Sequence, residues 1–215
     1  VLNIIAAQAK AHPEEKFKIA LAAPTGKAAR RLINSIEEGK VHLPDIFKDG
    51  IELPEHALTV HKLLGADHNG SNFKFDQDNQ LPYDLVIVDE ASMLDITMWV
   101  RLIRAVGPDT KLIVLGDKDQ LASVEAGSIL GDICGGENSF SEQIAATVGK
   151  LTGATIPIVK NVPSVNDCIV FLTKSYRFGE QSGIQKLAEA INRADPTEVL
   201  KVLKDPEFSD VAIIE

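Results

Sequence analysis

The chemistry-bearing residues of this sequence fall at the ends of apolar runs. Val86-Ile87-Val88 delivers two adjacent acids, Asp89 and Glu90, followed by Ala91 and Ser92. An apolar strand that ends in paired carboxylates is the Walker B arrangement. The first acid would hold Mg²⁺ through its water shell, and the second would polarise the water that attacks a γ-phosphate. The bland alternative is helix capping, with Asp89 as N-cap and Glu90 in the first turn. Four apolar residues directly before the pair favour the catalytic reading, because capping does not require a buried strand to deliver two acids together.

A second run, Lys18 to Ala23, leads into Pro24-Thr25-Gly26-Lys27-Ala28. A Walker A loop, G-x-x-x-x-G-K-[ST], fails here twice, since Leu21 stands at the first glycine and Ala28 at the hydroxyl position. What remains is a turn into a helix start, where free N–H groups, Thr25 and Lys27 could hold a phosphate, or a plain turn with an exposed lysine. A third run, Leu112 to Leu115, exits through Gly116-Asp117-Lys118-Asp119-Gln120. Gln120 could donate to a phosphate oxygen while accepting from water, although a polar β-turn is an ordinary reading of this segment. Arg177 lies between Tyr176 and Phe178. A guanidinium held by two rings suits transition-state phosphate charge, and a surface arginine lying over aromatic side chains is the alternative.

Other chemistries are excluded. The five histidines show neither H-x-x-x-H nor His-Cys spacing, and no G-x-S-x-G elbow occurs. Cys134 and Cys168 stand alone and read as free thiols in a reducing, cytoplasmic compartment. The apolar runs are far too short to cross a bilayer, and no basic segment followed by an apolar one marks a secretory signal. The net charge of −9 argues against wholesale binding to a polyanion but allows a local basic groove. With 45% hydrophobic residues in 215, the chain can bury a core. It opens on Val1 and is expected to be a piece of a longer protein.

These residues need elements to place them. Strands are expected at 18–23, 85–88, 111–115 and 168–172, each apolar apart from a leading lysine at 18 and 111, as in a parallel sheet covered on both faces. Helices are expected over 1–11, from Gly26 with Gly39 as a stop, over Met93–Val106 and over Ser182–Arg193. Residues 67–80 read as a surface excursion or small hairpin, 135–167 as an insertion or linker, and Val211–Ile214 as the start of a strand. The fold class is α/β, and in open α/β sheets ligands bind beyond the carboxyl ends of the strands.

Taken in order, the segments resemble superfamily 1 DNA helicases. Ala23 to Leu32 resembles motif Ia, Thr59-Val60-His61-Lys62-Leu63-Leu64-Gly65 motif Ib, and Val88 to Met93 motif II. Gly116 to Gly127 resembles motif III, and Lys174-Ser175-Tyr176-Arg177-Phe178 with the helix after Ser182 resembles motif IV. Leu130-Gly131-Asp132-Ile133-Cys134 and Leu151-Thr152-Gly153 favour the RecD family, the alpha subunits of exodeoxyribonuclease V. The match is weakest at 66–82 and 135–167.

The resemblance implies a RecA-like parallel sheet flanked by helices, truncated at both ends. The Walker A loop would precede residue 1, and motifs V and VI would follow residue 215. Residues 1–167 would form the first motor domain, and 168–215 its last core strand and the start of the second. It further implies ATP and Mg²⁺ as cofactors, with Asp89 on the metal, Glu90 as base, Gln120 sensing the γ-phosphate and Arg177 as arginine finger. Thr25, Gly26, Lys27, Thr59 and His61 would touch single-stranded DNA. The implied activity is 5′-to-3′ translocation at duplex ends beside RecB and RecC, in double-strand-break repair and recombination. An ATPase-like binding module without turnover and a superfamily 1 RNA helicase are the rival readings.

Overall fold

The structure, a computed structural model, describes residues 17–40, 54–118, 129–135, 137–172 and 182–213. The chain divides into two compact units, residues 1–135 and 136–215. The first contains β1 (Ile19–Ala23), α1 (Gly26–Lys40), β2 (Leu58–Thr59), α2 (Val60–Leu63), β3 (Leu85–Val88), α3 (Ile96–Ala105), β4 (Lys111–Val114) and α4 (Ile129–Ile133). Its four strands form one parallel sheet in the order β2-β1-β3-β4.

Every residue of β1 and β3 is buried, which is why both read as unbroken apolar runs. Successive side chains point to opposite faces. Ile19, Leu21, Leu85 and Ile87 therefore meet Leu32 and Ile36 of α1 on one face. Ala20, Ala22, Val86 and Val88 pack on the other, with Leu64, Trp99 and Leu102 in the same cluster. Each fully buried aliphatic side chain contributes about 1.5–3 kcal/mol relative to exposure, so the central strands are the fixed part of the unit. At their amino ends Asp84 joins the two strands, accepting the Lys18 N–H at 2.7 Å and donating its own N–H to the Lys18 carbonyl.

The strands at 18–23, 85–88 and 111–115 are present within a residue, but several local expectations are corrected. The helix expected over Met93–Val106 is split. Ala91–Met93 forms a 3₁₀ turn, Leu94 is extended, and the helix proper starts at Ile96 behind its N-cap Asp95. Gly39 does not stop α1, which runs to Lys40. β2 was not expected at all, since two residues carry no periodicity. Residues 67–80 are surface turns without strands; Asp67 accepts the Ser71 N–H and the Asn72 amide, and Asp76 accepts the N–H groups of Asp78 and Asn79. The helix expected over 1–11 lies outside the described residues.

The second unit holds α5 (Glu142–Thr152), α6 (Gly183–Asn192) and α7 (Pro196–Lys204). Residues 135–167 are thus not merely a linker. Ser141 caps α5 by accepting the Ile144 N–H, and Gly153 ends it with φ 71°. The strand expected at 168–172 is absent. Cys168 closes a 3₁₀ turn that begins at Ser164, and Val170 and Leu172 are exposed. Among the described residues no strand pairs with this run; the Asn138 side-chain amide instead bonds both the N–H and the carbonyl of Phe171. The helix expected over Ser182–Arg193 is α6, with those two residues as its caps. Val211–Ile213 is not a strand, and Ile214 lies outside the described residues. No helix among the described residues is long and apolar enough to cross a membrane.

Candidate active site at the carboxyl edge of the sheet

Parallel pairing brings the loaded strand ends to one edge. Ala23 is level with Thr59, Ala22 with Val88, and Val88 with Val114. The Thr59–His61, Thr25–Lys27, Asp89–Glu90 and Gly116 segments therefore emerge side by side, in that order. With adjacent strands about 4.8 Å apart, the acids stand roughly 10 Å from the β2 end and immediately beside the β1 and β4 exits.

The acids are fixed by backbone. The Asp89 N–H donates to the Ala22 carbonyl at 2.9 Å, and the Ala91 N–H to the Leu115 carbonyl at 3.0 Å, so the turn is tied to a strand on each side. Asp89 Oδ1 accepts the Glu90 N–H at 2.9 Å. Glu90 adopts the left-handed conformation, φ 53° and ψ 37°. A non-glycine residue there costs about 1–3 kcal/mol, and such strain concentrates at functional sites. Capping does not explain the pair. Asp95 caps α3 by accepting the Met98 N–H at 2.8 Å, and Glu90 makes no side-chain capping bond. Both acids are half-buried, and neither has a cationic partner among the described residues.

Thr25 caps α1, its Oγ1 accepting the Ala28 N–H at 3.2 Å. Gly26 faces open space: a Cβ there would meet nothing within 4 Å. Lys27 is exposed and carries no ion pair among the described residues. Thr59 repeats the arrangement at α2, accepting the Lys62 N–H at 3.3 Å. His61 is exposed one residue into α2, its ring centroid 6.2 Å from that of Phe73. Phe73 in turn carries the Arg101 guanidinium over its face at 4.3 Å. Of the nine residues singled out from sequence, seven stand along this edge; Gln120 and Arg177 lie outside the described residues.

Sequence reasoning passed over two features of the acid turn. Gly116 packs so closely that a Cβ would lie 3.2 Å from the backbone nitrogens of Ala91 and Ser92 and 2.6 Å from Leu130 Cδ2. Ser92 is only 4% exposed, and its hydroxyl has no hydrogen-bond partner among the described residues. A glycine at a strand exit hints at the first; no sequence signal reveals the second. Among the described residues no three His, Cys, Asp or Glu converge as a metal cage. Among the described residues, an ion held here would rest on the acid pair.

The family model for the AAA domain matches residues 1–126. The RecBCD enzyme subunit RecD of Mycobacterium tuberculosis (strain CDC 1551 / Oshkosh) is 40% identical over 209 residues, which are 96% of this chain and 31% of that protein. The subunit of the same name from Haemophilus influenzae is 38% identical over 192 residues, 87% of this chain and 30% of its own length. The ATP-dependent RecD2 DNA helicase of Deinococcus radiodurans is 39% identical over 111 residues, 52% of this chain and 13% of that protein. The chain spans about a third of the length of the RecD subunits it matches.

Proposed function

This chain belongs to the AAA domain family, and from that premise we propose that it is the nucleotide-hydrolysing part of an ATP-dependent DNA helicase subunit. The observation that carries the reading is the unpaired Asp89–Glu90 turn, held between the β1 and β4 exits on the edge that also bears Thr25–Lys27 and Thr59–His61.

Mg²⁺ takes near-octahedral oxygen ligands, usually one or two carboxylates with water and phosphate completing the shell. An acid pair with no further acid, His or Cys converging on it among the described residues fits that demand, and Asp89 is the residue to hold the ion. The ion would supply charge neutralisation at the β- and γ-phosphates. Glu90 then accepts the proton of the attacking water at its carboxylate, on a left-handed backbone whose neighbours Asp89 and Ala91 are bonded to the strands on either side. Gln120 is assigned to the γ-phosphate and Arg177 to the transition-state charge. Thr25, Gly26, Lys27, Thr59 and His61 form the track for single-stranded DNA, where helix starts and two cationic or polar side chains can follow a phosphate backbone.

The phosphate loop would come from a segment outside these residues. Support comes from β4, where Lys111 is exposed and the next three residues are only partly buried, whereas β1 and β3 are buried throughout. Among the described residues no strand pairs with its outer edge. We assign 1–167 to the first motor domain and 168–215 to the approach to the second. The parent protein would translocate 5′ to 3′ on single strands at duplex ends, in the cytoplasm, with RecB- and RecC-type subunits as companions. The RecBCD subunit names of the relatives support that assignment.

Glu90→Gln in the full-length subunit tests the central role. A general base contributes about 10²–10⁴-fold, so turnover should fall by that factor while nucleotide affinity stays within a few-fold. Retained turnover would remove Glu90 from its role.

A further inference from the structure

The acid turn contains a polar group that the proposed mechanism does not use. Ser92 stands two residues after Glu90, inside the 3₁₀ turn, and its hydroxyl is buried without a partner. Trp99 Nε1 is the other such side-chain atom among the described residues, and it lies on the helix that follows the same turn. Buried polar groups are nearly always hydrogen-bonded, and one left unpaired destabilises the fold. Ser92 also lies between Ala91 and the buried, apolar Leu94 near a well-packed core, where alanine would satisfy the packing without that penalty.

Its location says where a partner would come from. The Ser92 backbone nitrogen is 3.2 Å from where a Gly116 Cβ would sit, and the preceding Ala91 N–H donates to Leu115. Ser92 thus lies on the seam between the acid turn and the exit of β4.

We propose that Ser92 is a positioning residue for hydrolysis, its hydroxyl gaining a hydrogen bond across this seam when nucleotide is bound and so fixing the turn that carries Glu90. This rests on the function proposed above. A bond gained there with nucleotide would couple nucleotide binding to the geometry of the acids.

The test uses the full-length subunit as wild type, Ser92→Ala and Ser92→Cys. Melting temperature is measured with and without Mg²⁺ and the non-hydrolysable analogue AMP-PNP, alongside kcat and KM for ATP. Ser92→Ala should melt at the same or a higher temperature without nucleotide, yet gain less than half the wild-type increment from AMP-PNP. Its kcat should fall at least tenfold with KM within threefold. Ser92→Cys, similar in shape but a weak hydrogen bonder, should fall between. A Ser92→Ala protein with wild-type kcat and increment would overturn the proposal. So would a lower melting temperature without nucleotide and a proportionate loss of activity, which is the mark of a structural residue. If wild type itself neither hydrolyses ATP nor responds to AMP-PNP, the underlying function fails and this inference with it.

Discussion

At the scale of single residues, Gly26 and Gly116 separate contact with ligand from contact with protein. A Cβ on Gly26 meets no protein atom, and alanine is favoured over glycine in a helix by about 1 kcal/mol. Gly26→Ala should therefore leave melting unchanged or slightly raised. If a DNA backbone passes close to this helix start, the same change should weaken single-strand affinity severalfold in a fluorescence anisotropy titration. Unchanged affinity would remove Gly26 from the track. The two thiols differ in a similarly readable way: burial pushes the Cys134 thiol above its ordinary range, whereas Cys168 is exposed. Iodoacetamide at pH 8 should label Cys168 first by mass spectrometry; preferential labelling of Cys134 would contradict the placement of α4. The acids were legible in the sequence because strand and carboxylates are adjacent in the chain. The orphan hydroxyl of Ser92 was not, since its burial depends on Gly116 and Leu115, more than twenty residues away.

At the scale of elements, two junctions carry testable weight. Gly116→Ala would drive a Cβ against the backbone of Ala91 and Ser92. Overpacking of this kind costs about 1–3 kcal/mol, and chemical denaturation should show a loss in that range; a neutral result would mean that the β4 exit is loosely packed. The second junction is the start of α6. Asp210 accepts from the Ser182 hydroxyl at 2.7 Å and from the N–H groups of Gly183 and Ile184. The Ser182 hydroxyl, aided by those backbone groups, holds the Asp210 carboxyl below its ordinary value. A carboxyl whose pKa is lowered on folding stabilises at pH above its unfolded value, near 4, and that contribution is lost as pH falls through the folded value. Asp210→Asn should therefore lower the melting temperature at pH 7, with the gap to wild type closing below about pH 4; a gap independent of pH would deny the carboxylate its part. Elements with a long apolar run or clear helical period were readable. Failures came where context decides: Asp95 rather than Asp89 caps α3 because Leu94 must first turn into the core, and Cys168–Leu172 has no strand to pair with among the described residues.

At the scale of the molecule, the net charge of −9 makes any DNA contact a local matter, confined to Lys27, His61 and their neighbours on one sheet edge. The 215 residues contain no G-x-x-x-x-G-K-[ST] loop, and they correspond to about a third of the RecD subunits they match. Alone they should hydrolyse ATP slowly or not at all, because the acids would act on a phosphate that nothing cradles; turnover at ordinary helicase rates by this stretch would show that the loop is dispensable. The most direct measurement is ATP hydrolysis by the full-length parent chain with and without single-stranded DNA. A DNA motor predicts turnover that rises at least tenfold when the strand is added. Intact nucleotide binding with no hydrolysis, with or without DNA, would contradict it and leave the strand-end residues as a binding scaffold.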